Sequence, residues 1–116
     1  MDFLNELKRC ILEWSKDPIE DEWLFESFRK NTVNSMSPSE AFQEIDDTIS
    51  VLLEISDEST AIEVLQTIID LARQSNTTEI SKKIYENKDA LRNQFELMGE
   101  YAQSKLNELF KYYRLV

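Results

Sequence analysis

The stretch KDALRNQFELMGEYAQSKLNELFKYYRL, residues 88–115, decides the fold class. Leu91, Phe95, Met98, Ala102, Leu109 and Tyr113 recur in it at spacings of three, four or seven residues. That period holds their side chains on one stripe of an α-helix. Leu106 and Phe110 widen the stripe to the breadth of a helix facing a globular core, while Glu96, Glu100, Gln103, Asn107 and Lys111 fall largely on the other side. Gly99 is the one interruption, and a glycine inside a helix weakens it by about 1 kcal/mol relative to alanine without breaking it. The pattern predicts one continuous helix from Lys88 to Leu115, about 40 Å long, on which shorter helices pack.

Working outward, the rest of the chain reads as helices separated by short polar turns. Asp2 is placed to cap a first helix to about Lys16, with Phe3, Leu4, Leu7, Ile11 and Trp14 facing inward. Asp17-Pro18 restarts the chain as an N-cap followed by proline at the first helical position. The second helix runs to about Lys30 and turns Ile19, Trp23, Leu24 and Phe28 to the core. After a turn at Asn31–Met36, Ser37-Pro38-Ser39-Glu40 forms a capping box. It opens a third helix through Ile55 with Phe42, Ile45, Ile49, Leu52 and Leu53 inside. Ser56–Ser59 is a polar turn, and Thr60-Ala61-Ile62-Glu63 a second capping box. The fourth helix, to about Gln74, is apolar nearly all round and belongs in the middle. A short fifth helix, Glu79 to Glu86, ends at Asn87, before the long last one. These features predict an all-α single domain, residues 1–116: a bundle of five or six helices with a central antiparallel hairpin and a long C-terminal helix.

Composition narrows the chemistry. One glycine and two prolines in 116 residues, with no alternating β-branched run, exclude an all-β fold. The chain has no histidine, which removes the usual Cys/His zinc sites, Ser-His-Asp triads, Cys-His dyads and Glu-x-x-His di-iron bundles. No glycine-rich loop is present to cradle a phosphate. Cys10 is the single cysteine and sits on the apolar side of the first helix, as a buried structural thiol. No secretory signal opens the chain, and no apolar run approaches the roughly 20 residues of a membrane span. The expectation is a soluble cytoplasmic protein without cofactor, metal, catalytic residues or membrane association.

Charge is the informative signal. The formal net charge is −10, and its distribution is uneven. Between Asn31 and Ala72 lie nine acids and no base: Glu40, Glu44, Asp46, Asp47, Glu54, Asp57, Glu58, Glu63 and Asp70. At about 100° per residue, Glu40, Glu44, Asp47 and Glu54 share an arc of roughly 80° on the third helix. Like charges at such spacings disfavour a helix by roughly 0.2–0.5 kcal/mol per pair. A surface made only for solubility intersperses the two signs. An acidic stripe is also compatible with a plain solvated face, or with one that bases of the C-terminal helix cover. As a docking surface it speeds encounter with a basic protein and repels nucleic acid. The candidate contact residues are Glu44, Asp47, Glu54, Asp57, Glu58 and Glu63. Phe25 joins them as a candidate anchor, because Trp23, Leu24 and Phe28 share one side of the second helix and Phe25 points elsewhere.

With an acidic helical domain of this size, and Leu71-Ala-Arg-Gln-Ser-Asn-Thr-Thr-Glu79 following an aliphatic helix, the chain resembles small bacterial immunity proteins. These are the cytoplasmic antidotes to polymorphic and contact-dependent growth inhibition toxins. The resemblance implies a non-catalytic protein, monomeric or weakly dimeric, that binds one cognate toxin domain, often a basic nuclease. Two alternatives use the same residues differently. Glu44-Ile-Asp-Asp47 and Glu54-Ile-Ser-Asp57 match the Glu-x-x-Asp segment of all-α magnesium-dependent nucleotide pyrophosphohydrolases. The partner Glu-Glu-x-x-Glu is missing, with Glu20-Asp21-Glu22 and Glu26 a poor substitute. An acidic regulator that mimics nucleic acid, capturing a DNA-binding protein, uses the same stripe.

Overall fold

In the computed structural model, which describes residues 2–16 and 23–115, the fold is built around a helix that has no polar face to turn outward. Six α-helices are formed by the described residues: α1 Phe3–Lys16, α2 Leu24–Thr32, α3 Pro38–Leu53, α4 Glu58–Gln74, α5 Lys82–Glu96 and α6 Glu100–Tyr112, with a 3-10 turn at Val33–Ser35. No residue of α4 from Thr60 to Ala72 is exposed, and Ala61, Val64, Leu65, Ile68 and Leu71 are sealed from solvent. Helices α1, α2, α3 and α6 pack on α4, and α5 closes the domain against α3 and α6. The connection at 54–57 folds α4 back along α3, and Gln74 at the far end of α4 donates to the Met36 carbonyl just before α3 (2.6 Å). This is the antiparallel hairpin expected from sequence.

Local chemistry sets the helix starts. Asp2 accepts from the Asn5 backbone N–H (3.3 Å) at the start of α1. The capping box at α3 forms as read: Glu40 N–H donates to Ser37 Oγ (3.1 Å) and Ser37 N–H to Glu40 Oε1 (3.0 Å). The second expected box does not form. Asp57 caps α4 instead, its Oδ2 accepting from the Thr60 backbone (2.9 Å) and hydroxyl (2.6 Å). Aspartate is a better cap than threonine, so α4 gains its first turn from residues read as a loop, and Glu63 is released for another partner. The buried Thr32, Thr48 and Thr67 hydroxyls donate to the carbonyls four residues back, which satisfies them without a cross-helix partner.

Two expectations are corrected. The C-terminal stretch is not one helix. It divides at Leu97–Gly99, where Gly99 stands as the N-cap of α6 in extended backbone (φ −70°, ψ 172°). There the Gly99 N–H donates to Glu58 Oε1 on the first turn of α4 (2.8 Å), and Gln103 Nε2 donates to the Met98 carbonyl (2.8 Å). The apolar stripe continues across the break because both halves face one core, so periodicity alone cannot reveal it. The stop expected at Asn87 is absent: Asn87 lies inside α5, and its side chain donates to the Lys83 carbonyl (2.9 Å).

The second correction concerns α2. Phe25 is fully buried, edge-on to Trp14 with ring centroids 5.3 Å apart, while Trp23 is 60 % exposed. The expected face was phased from a helix beginning at Asp17-Pro18. Those residues and Ile19 lie outside the described ones, and the described helix starts at Leu24. Phe25 shares its face with Phe28 and the buried Thr32, and Trp23 is the N-cap outside the helix, so Phe25 is core and not a surface anchor.

Leu65→Asp places an unpaired charge in this core, where no ion partner can reach it; its melting curve should lose the cooperative transition of the parent, and a parent-like melt contradicts the placement of α4. Cys10 is 4 % exposed, and burial, followed by the neighbouring Glu13, pushes its thiol up to about 12. A maleimide reagent should therefore label Cys10 only after denaturation, because the thiolate is the nucleophile.

Candidate interaction surface

The acids nominated from sequence divide into two groups with different physical roles. Asp57, Glu58 and Glu63 are used inside the fold. Asp57 caps α4, and the Thr60 hydroxyl and backbone N–H hold its carboxyl below the usual range. Glu58 accepts the Gly99 N–H at the α5–α6 corner. Glu63 meets Arg29 of α2, whose guanidinium lies 3.1 Å from Glu63 Oε1 and from the Glu63 carbonyl. Arg29 also lies 3.6 Å from Asp70 Oδ2 and is only 12 % exposed. Asp70 accepts from Gln66 Nε2 (2.9 Å), and Gln66 accepts from Lys105 of α6 (2.5 Å). Arg29 of α2 thus reaches both acids on this ridge of α4, and Lys105 of α6 reaches the Gln66 amide between them.

Glu44, Asp47 and Glu54 are the second group. Together with Glu40, they lie along α3 and form no ion pair with a described residue. Glu40, Asp47 and Glu54 are exposed and are spaced by seven, which drifts only about 20° per step. They therefore make a line about 21 Å long at 1.5 Å per residue. Glu44 is half-buried beside it. Its carboxyl is pushed up first by burial, then by Asp47 and by Asp2. Glu40 is held down by the Ser37 backbone and hydroxyl that complete its capping box.

The bases of α5 do not cross over to this line. Helix α5 packs on the other flank of α3, where Asp46 Oδ1 accepts the Lys83 backbone N–H (3.1 Å), a carboxylate at the positive end of a helix. At its far end Gln94 Nε2 donates to the Leu52 and Ile55 carbonyls, both at 2.8 Å, and so satisfies orphan acceptors at the C-terminus of α3. Lys88 lies over the Tyr85 ring and Arg92 over Phe110. Near the chain end, Tyr112 shares its hydroxyl between the Ala72 and Thr77 carbonyls (2.9 and 3.0 Å), and Tyr113 is buried. Both tyrosines belong to the packing.

Among the described residues no three Asp, Glu or Cys side chains come together in a way that could hold a metal ion. Glu44 and Asp47 lie in the middle of α3, Glu54 is its C-cap and Asp57 the N-cap of α4, so the two Glu-x-x-Asp segments are about 10 Å or more apart along the helix axis. Glu20, Asp21 and Glu22 lie outside the described residues. No described helix is long and apolar enough to cross a membrane.

Two features escaped the sequence reading. Arg29 was one base among several, and nothing local to α2 marks it as the partner of Glu63 and Asp70. Leu97 did leave a signal: it falls off the apolar stripe of the 88–115 stretch, and it is 91 % exposed. Compared with known proteins, the chain matches no family model, no curated protein and no solved structure.

Glu44 supplies a test of the electrostatics. Its folded pKa lies above the ordinary value of 4.5, so ionisation destabilises the fold, and the penalty is fully present above the folded pKa. It fades as pH falls through that pKa toward 4.5. Glu44→Gln should therefore melt slightly higher than the parent at pH 7, with the gain shrinking on acidification and with added salt. A lower melting temperature at pH 7 contradicts this.

Proposed function

We propose that this chain is a non-catalytic binding protein of the immunity kind, which captures a basic protein through the acidic line on α3. Its partner is a cognate toxin domain, a basic nuclease, whose active site it covers. One observation carries the reading: Glu40, Asp47 and Glu54 stand in a row without a base, while Glu63 and Asp70 on the adjoining helix meet Arg29 and Glu58 caps a corner. Within the base-free segment from Asn31 to Ala72, Glu58, Glu63 and Asp70 of α4 have partners inside the domain, and Glu44, Asp47 and Glu54 form no ion pair with a described residue. On this face Glu44 lies four residues from Glu40 and three from Asp47, spacings at which like charges weaken a helix, and no base on α3 relieves the repulsion. A basic surface docked against this face relieves that repulsion and gains from electrostatic steering at the encounter step. A patch of this sign also disfavours direct contact with a phosphate backbone.

The partner is sought in the neighbouring gene, as a basic C-terminal toxin domain, and the test is growth of cells that express it with and without this chain. Co-expression should restore growth. The double variant Asp47→Lys, Glu54→Lys should keep the parent's melting temperature within a few degrees, since both side chains are exposed. Its association rate with that domain should fall on the order of tenfold at low ionic strength, and the difference should narrow in high salt. Unchanged association rates contradict the proposal.

A further inference from the structure

Leu97 is the most exposed large apolar side chain among the described residues, at 91 %. It borders a groove of about 330 Å³ with Leu53, Ile55 and Met98, where Glu54, Ser56 and Gln94 complete the lining. The corner that presents it is tied down from three sides. Glu58 holds the Gly99 N–H, Gln103 holds the Met98 carbonyl, and Gln94 holds the last carbonyls of α3. The backbone that presents Leu97 is therefore held in place beside the groove. A preorganised apolar contact of this kind loses little freedom when covered.

Its surroundings define what can cover it. Glu54 is both a wall of the groove and the last member of the acidic line on α3. Glu96 and Glu100 flank the corner in the chain, and with Glu54 they form no ion pair with a described residue. A second copy of this chain brings the same acids and a net charge of −10, so a self-contact here is repulsive. An apolar side chain set among arginines and lysines satisfies both the groove and its rim. Resting on the proposed capture of a basic protein, we infer that the Leu97 groove is the apolar anchor point of that interface. It receives a large hydrophobic residue of the partner that is flanked by basic residues, while the α3 line aligns the rest of the basic surface. This is the arrangement of a water-excluding centre inside a charged rim.

The probe is an octapeptide with a central Trp–Leu pair flanked on both sides by arginines and lysines, compared by calorimetry with a control in which Ser–Ser replaces the pair. The Trp–Leu peptide should bind the parent about tenfold more tightly than the control. Leu97→Ser, at a site too exposed to unfold the domain, should remove that advantage and leave control binding unchanged. Glu54→Lys should weaken both peptides. Equal binding of the two peptides to the parent, or an advantage that survives Leu97→Ser, overturns the anchor while leaving the acidic docking face intact. Binding of neither peptide overturns the docking face and the anchor together.

Discussion

A helix that is apolar on nearly every side must be surrounded, and α4 is that helix. Its burial fixes the positions of α1, α2, α3 and α6, since each supplies a flank that α4 cannot leave to water. The few polar groups α4 carries must then find partners within the domain. Glu63 and Asp70 meet Arg29, Gln66 meets Lys105, and the Thr67 hydroxyl returns to the backbone. Removing one partner from so covered an ion pair leaves the other charge poorly solvated. Arg29 thus determines where α2 can sit as firmly as its phenylalanines do.

The same constraint explains why the charge of the hairpin is unevenly resolved. Helix α3 is covered by α4, by α5 and, near Glu40 and Glu44, by the start of α1, but Asp47 and Glu54 look outward and form no ion pair with a described residue. Acids that sit at helix starts do structural work: Asp57 and Glu40 cap, Asp46 receives the Lys83 N–H in the first turn of α5, and Glu58 accepts the Gly99 N–H at the start of α6. What is left on α3 is Asp47 and Glu54, both exposed and neither in an ion pair with a described residue. The functional reading rests on this remainder, and not on the total charge.

Much of the fold was legible because its signals are local. The Ser37-Pro38-Ser39-Glu40 box, the 3.6-residue stripes and the all-round apolar character of α4 are read within one helix, and each matches the structure. The failures share a different cause. The break at Gly99 is held by Glu58, forty-one residues earlier in the chain; the burial of Phe25 is set by its packing on Trp14 of α1; and the α4 cap, read at Thr60, falls to Asp57. The site was half legible for the same reason. Spacing alone put Asp47 and Glu54 on one face of α3, whereas the loss of Glu63 to Arg29 and of Glu58 to Gly99 required the tertiary arrangement.

The central claim is that the exposed face of α3 is where a basic protein docks. Hydrogen–deuterium exchange on the complex with the toxin domain of the neighbouring gene tests it most directly, since it reports which segments are covered and is indifferent to the model of binding. The account predicts added protection in α3 between Asp47 and Glu54 and at the Leu97 corner, with α1 and the solvent side of α6 unchanged. Protection centred on α1 and α2, with α3 exchanging as in the free protein, would contradict it.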